Sequence, residues 1–220
     1  MEKYLKKLKP SMLKFMRTRY GEAEVQKRWQ RVEELDAKWL RDEGDLGGGA
    51  NMMSSNMMLC YAMCAFYEAV DRDYTREDFL VLVNEVMAKP FALLGRIDMN
   101  VLEKKKWLMR FAYFCMEQFK KKSDKKRGGQ WGNTWRLRVN PERHETGISY
   151  VLDSCPLHEF AVKYGYMDFL PNMCALDIRI AERFHARLIR HRTLSAGDAV
   201  CEYWYVGDKT PEALSDTGSN

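Results

Sequence analysis

Apolar side chains recur at helical spacing through the first half of the chain and alternate with polar ones in the second. Tyr4–Tyr20 reads as an amphipathic helix interrupted or started at Pro10. Glu22–Arg41 is a second helix, with Val25, Trp29, Val32, Leu35, Trp39 and Leu40 on one stripe. The glycines around Gly44–Gly49 end it, and a third helix from about Met52 to Val70 is apolar nearly all round, the pattern of a buried element. Thr75 and Asp78 have capping-box spacing before Phe79, Leu80, Val83, Val86 and Met87, with Pro90 as the stop. Asn100 and Glu103 are read as caps of a fifth helix running through Trp107, Phe111, Phe114 and Phe119. Lys120–Arg127, followed by Gly128 and Gly129, reads as a polar loop and the internal boundary.

Beyond that point the period falls to two. Trp135, Leu137 and Val139 alternate with Arg136 and Arg138, and Ile148, Tyr150 and Leu152 behave alike, which predicts half-buried strands. A short helix begins at Pro156 and another covers about Met167–Ile178. Ala186–Leu194 and Ala199–Val206 predict an antiparallel hairpin through Ser195–Asp198. Helices first and strands later predict an α+β fold: an N-terminal helical bundle packed on a small C-terminal antiparallel sheet with short helices. Residues 1–206 are expected to form one domain, helical over 1–127 and sheet-bearing over 128–206, before a polar tail at 207–220.

Length and charge narrow the function. With 220 residues and 46% hydrophobic content, the composition is globular. Six cysteines are too few for a disulfide scaffold, so thiols in a reducing, cytoplasmic setting are expected. The longest apolar run, Met57–Tyr67, is too short to span a bilayer, and no secretory signal opens the chain. The net charge of +5 arises from residues 101–127, so neither a nucleic acid nor a membrane is expected as partner. Lys104–Lys106 and Lys120–Arg127 read as solvated surface, and Glu2 and Pro10 argue against the N-terminal helix lying on lipid. A small molecule is the expected partner, and a homo-oligomer stays open.

The densest chemistry lies in the second half. Cys155 stands before Pro156, which favours the first helical position, so its thiol is expected at a helix N-cap with a lowered pKa. His158 falls in the same first turn, Cys174 and Asp177 are helical neighbours, and Cys201 lies on the last strand. Two readings stay open. One is a metal, such as zinc, held by Cys155, His158, Cys174 and Asp177. The other is a cysteine nucleophile with a proton-transfer partner. Asn51 reads as a helix cap, and Asn56 as a buried amide needing a partner. Arg187, Arg190 and Arg192 read as a solvated strand face, with a substrate carboxylate as their alternative partner. Gly47-Gly48-Gly49 lacks the lysine and preceding strand of a phosphate loop and reads as a connector.

Several segments, in order, resemble the L-2-amino-thiazoline-4-carboxylic acid hydrolase family. These are Arg19-Tyr20-Gly21-Glu22-Ala23, Gly48–Asn56 and Ala65-Phe66-Tyr67-Glu68-Ala69. In the second half they are Cys155, Cys174 with Asp177, Arg192-Thr193-Leu194, and Gly197 with Cys201. The resemblance implies hydrolysis of a non-peptide carbon–nitrogen bond in a small cyclic amidine or amide. For that chemistry the residues themselves offer a thiolate at Cys155, Cys174 or Cys201, or a hydroxide on a metal held by some of these groups, with Asp177 positioning water or steadying the cationic amidine and His158 shuttling the proton. Asn51, Asn56 and Arg192 are then the candidate substrate contacts. The alternative is a non-catalytic small-molecule or metal-sensing domain related to vinyl-reductase-like ligand-binding domains.

Overall fold

The computed structural model describes residues 3–84 and 95–217. The expected Val86, Met87 and Pro90 positions lie outside the described residues. The chain divides into two compact units, Met1–Ala88 with Gly129–Gly132, and Lys89–Gly128 with Asn133–Asn220. The first is helical and the second carries an antiparallel sheet, so the fold is α+β.

The helical unit contains α1 (Lys3–Arg17), α2 (Glu22–Glu43), α3 (Ser54–Ala69) and α4, described over 76–84. Helix α1 continues through the exposed Pro10. Leu5 and Leu8 before the proline, and Met12 and Met16 after it, are all buried, so packing holds both halves on one side. Val25, Trp29, Val32, Leu35 and Trp39 form the buried stripe of α2. Helix α3 is buried on most of its circumference, as its composition demands. Phe66, near its C-terminal end, meets Phe15 and Tyr74 edge-on, with ring centroids 5.6 and 5.1 Å away.

Helix α4 opens on a reciprocal cap. The Asp78 amide donates to the Thr75 hydroxyl (3.2 Å), and the Thr75 amide donates to the Asp78 carboxylate (3.0 Å). Replacing the exposed Thr75 with Ala should lower stability by about 1 kcal/mol, read as a lower urea midpoint with unchanged slope.

The second unit contains α5 (Met99–Leu102), α6 (Lys106–Lys126), β1 (Arg136–Val139), β2 (Ile148–Ser154), α7 (Pro156–Tyr164), α8 (Leu170–Arg183), β3 (Ala186–Ile189), β4 (Cys201–Gly207) and α9 (Pro211–Ser215). The strand order is β1-β2-β4-β3, antiparallel throughout. The β3–β4 pair forms as expected, but its connection is longer than four residues and contains a 3₁₀ turn at Leu194–Ala196.

Two further expectations are corrected. Lys120–Lys126 is helical and not a loop, because the Ser123 hydroxyl on the inner side of α6 donates to the Trp135 carbonyl (2.9 Å) and holds the last turns against the sheet. Asn100 and Glu103 do not cap α6. The side chain of Asp98 caps α5 instead, accepting from the Asn100 amide. Asn100 itself reaches the His185 carbonyl and Asp208, while Glu103 accepts from the Gly207 amide (3.0 Å), so both residues tie α5 to the ends of β3 and β4.

Candidate active site

Strand alternation places the chemistry on one sheet face. In β4, Cys201, Tyr203 and Tyr205 point the same way. Register sets Leu152, Tyr150 and Ile148 of β2 beside them, and Leu188 of β3 opposite Tyr205. Tyr150 stacks on Tyr203 with centroids 4.7 Å apart and an 8° interplanar angle. Tyr205 hydrogen-bonds Tyr150 and lies 6.3 Å from Tyr203, which completes a tyrosine ladder.

Helix α8 packs on β3 and supplies Cys174 and Asp177 one turn apart. Arg190, just past β3 and 2% exposed, is the buried cation of the cluster. Its Nη1 lies 3.5 Å from Asp177 Oδ2, its Nη2 donates to the Cys174 carbonyl (3.2 Å), and its guanidinium carbon lies 5.5 Å from the Tyr203 ring centroid. The Tyr203 hydroxyl also donates to Asp177 Oδ2 (3.2 Å). Oδ1 takes neither of these bonds, and 34% of the Asp177 side chain is accessible.

The electrostatics follow from crowding. Desolvation pushes the Asp177 carboxyl up to about 6, although Arg190 and the Tyr203 hydroxyl pull it down. Desolvation also raises the tyrosines of the ladder. Yet Tyr150, Tyr205, Cys155, Cys174 and Asp177 all keep some accessible surface. Solvent therefore touches these groups although protein atoms crowd them strongly.

Three of the four cysteines of this unit, all but the exposed Cys115 of α6, gather at the same place, close enough for Cys155 and Cys174 each to feel Cys201. Cys155 is the N-cap residue of α7, as expected, with Pro156 in the first turn. The expected drop in its pKa is corrected. Burial pushes the thiol well up, outweighing the backbone N–H groups of His158 and Leu157 that favour the thiolate. Burial likewise raises Cys174 to about 11, against a hydrogen bond with Ser195, and raises Cys201, against the Leu194 amide at 3.2 Å. At neutral pH the three sulfurs are therefore thiols.

The remaining candidates are placed differently. His158 meets Cys155 through its backbone N–H. Among the described residues, no group of three or more His, Cys, Asp and Glu side chains is arranged to hold a metal, so Cys155, His158, Cys174 and Asp177 do not make the coordination set their spacing suggested. Arg192 is exposed and ion-paired with Glu202 and Glu142, because its position points it away from the face that Arg190 serves. Asn51, in the helical unit, is buried as a turn-forming residue. Its amide donates to the Leu46 carbonyl (2.9 Å), and its oxygen accepts from the Met53 amide (3.1 Å). Asn56 is exposed, since the first turn of α3 directs it outward while Met57 and Met58 turn inward.

The tyrosines were not expected in the cluster. The available signal was the period-two run Cys201-x-Tyr203-x-Tyr205, which puts three chemically distinctive groups on one strand face.

The family model for L-2-amino-thiazoline-4-carboxylic acid hydrolase matches residues 55–205, more than half of the chain. The chain belongs to this family. The matched span contains Cys155, Cys174, Asp177, Arg190, Cys201 and the whole tyrosine ladder. No curated protein and no solved structure matches the chain. Among the described residues, no helix of this hydrolase-family chain is long and apolar enough to cross a membrane.

Arg190 is the main charge opposing the desolvation of Asp177. In Arg190→Met, an apolar replacement of similar length, the Asp177 carboxyl should titrate about one pH unit or more above the wild-type midpoint, read by carbon NMR of labelled aspartate. The sign for stability follows. The folded chain binds this proton more tightly than the unfolded one, so between the ordinary value of 3.8 and about 6 this group's contribution to stability falls as pH rises.

Proposed function

We propose that the protein hydrolyses a carbon–nitrogen bond of a small cyclic amidine carrying a carboxylate, of the 2-amino-thiazoline-4-carboxylate type. Water adds to the amidine carbon while the Asp177 carboxylate takes one of its protons. The proton passes to the ring nitrogen, and the bond from that carbon to the ring nitrogen then breaks as the new hydroxyl loses its own proton and becomes a carbonyl. Both protons of the water end on the nitrogen as a free amine. The carbamoyl group stays on sulfur, so the product is S-carbamoyl-cysteine, one water heavier than the substrate.

A carboxyl that titrates at about 6 suits this task, because it is ionised at neutral pH yet basic enough to accept a proton. Arg190 and Tyr203 act as positioning residues through their bonds to Oδ2, leaving Oδ1 for water. The stacked tyrosines give a planar ring a flat wall. Neutral thiols at Cys155 and Cys174 favour water over sulfur as the nucleophile. One observation carries the reading: the accessible, strongly desolvated carboxylate of Asp177, braced by buried partners in the span that matches the family.

The test is incubation of the purified protein with L-2-amino-thiazoline-4-carboxylate, followed by chromatography for S-carbamoyl-cysteine. Formation of product in proportion to enzyme and time is expected. Absence of product with this compound and with a panel of related cyclic amidines would refute the reading.

A further inference from the structure

Helix α6 turns its inner side to the sheet. Tyr113 donates to the Gly147 carbonyl and accepts from the Ser149 amide, and Ser123 holds the Trp135 carbonyl. Its outer side carries Trp107, Phe111 and Phe114, which are 68%, 57% and 58% exposed. These three follow helical spacing and form one stripe. Lys121, Lys122 and Lys125 lie along the same stripe, about two to three turns beyond Phe114, and all are exposed. Lys104, Lys105 and Lys106, also exposed, precede Trp107. The two acids of α6, Glu117 and Asp124, lie to one side of the stripe, and Asp124 pairs with Lys120.

We propose that this face of α6 rests on an anionic lipid surface, with the three aromatic rings in the headgroup boundary and the flanking lysines on acidic headgroups. Aromatic rings have an apolar body suited to that boundary, and a run of lysines is attracted to its negative potential. Charge argues against a second copy of the chain as the occupant, because the stripe carries no acid to answer its own lysines. The layout argues against RNA. Single-strand binders interleave aromatic and basic groups along a groove, whereas here the rings and lysines are segregated on the outside of one helix. The sequence shows the lysine runs but not that they share a face with exposed rings, since that depends on which side of α6 the sheet occupies.

The full chain is floated with vesicles of phosphatidylcholine alone and of phosphatidylcholine with about 30 mol% phosphatidylserine. Binding to the acidic vesicles at low salt is expected, with a blue shift of tryptophan emission and loss at high salt. The W107S/F111S/F114S variant should bind at least about tenfold more weakly, and K121Q/K122Q/K125Q should lose about fivefold per lysine toward acidic vesicles only. All six side chains are solvent-exposed, so circular dichroism should be unchanged. No binding by the wild type at low salt overturns the proposal. So does binding by both variants as strong as that of the wild type. Two other outcomes also overturn it: a stripe-dependent dimer in sedimentation without vesicle binding, and salt-sensitive binding to poly(U) without vesicle binding.

Discussion

Asp177→Asn should leave the protein folded and lower kcat/KM for 2-amino-thiazoline-4-carboxylate by about a hundredfold to ten-thousandfold, the range associated with a lost general base. Asparagine keeps the shape of the side chain, so an oxygen stays in place for the Tyr203 hydroxyl and Arg190. It cannot accept a proton from water. The change should fall on kcat more than on KM, because the carboxylate acts on the attacking water. A variant with wild-type turnover would remove Asp177 from the chemistry. Cys155→Ala and Cys174→Ala, whose parent thiols are protonated at neutral pH, should cost far less.

The second large effect concerns stability. Gly47→Ala should destabilise the protein by about 3 kcal/mol or more, measured as ΔG of urea unfolding. Gly47 has φ of +96°, a conformation that penalises any side chain. A methyl there would also sit within the indole ring of Trp131, which is only 1% exposed and has no room to move aside. Gly49→Ala, with nothing near the added carbon and no positive φ, should change stability little and serves as the control. Equal effects at the two positions would contradict this packing account.

That pair shows where the sequence is informative and where it is not. The triple glycine marks a break between helices, but only the approach of Trp131, more than eighty residues away, gives Gly47 its particular importance. The helices and strands were legible because period 3.6 and period 2 follow from local geometry. Thr75 and Asp78 were legible because both partners of the cap lie within one turn.

Asn100 and Glu103 were misassigned because their partners are at Asp208 and Gly207, beyond the reach of any local pattern. In the candidate site, spacing placed Cys174 beside Asp177 and brought Cys155 and Cys201 into consideration. It could not choose Arg190 over Arg192, which depends on strand register and on where β3 ends. Nor could it set the direction of the Cys155 pKa. A helix N-terminus is visible in sequence, whereas the burial that outweighs it belongs to tertiary structure.

The most direct measurement is the pH dependence of kcat/KM for 2-amino-thiazoline-4-carboxylate in the wild type and in Asp177→Asn. The account predicts an acid limb in the wild type that rises with a midpoint near 6 and then levels off, and residual activity without that limb in the variant. A rate that climbs only in the range of thiol ionisation, or an acid limb that survives the substitution, would contradict it.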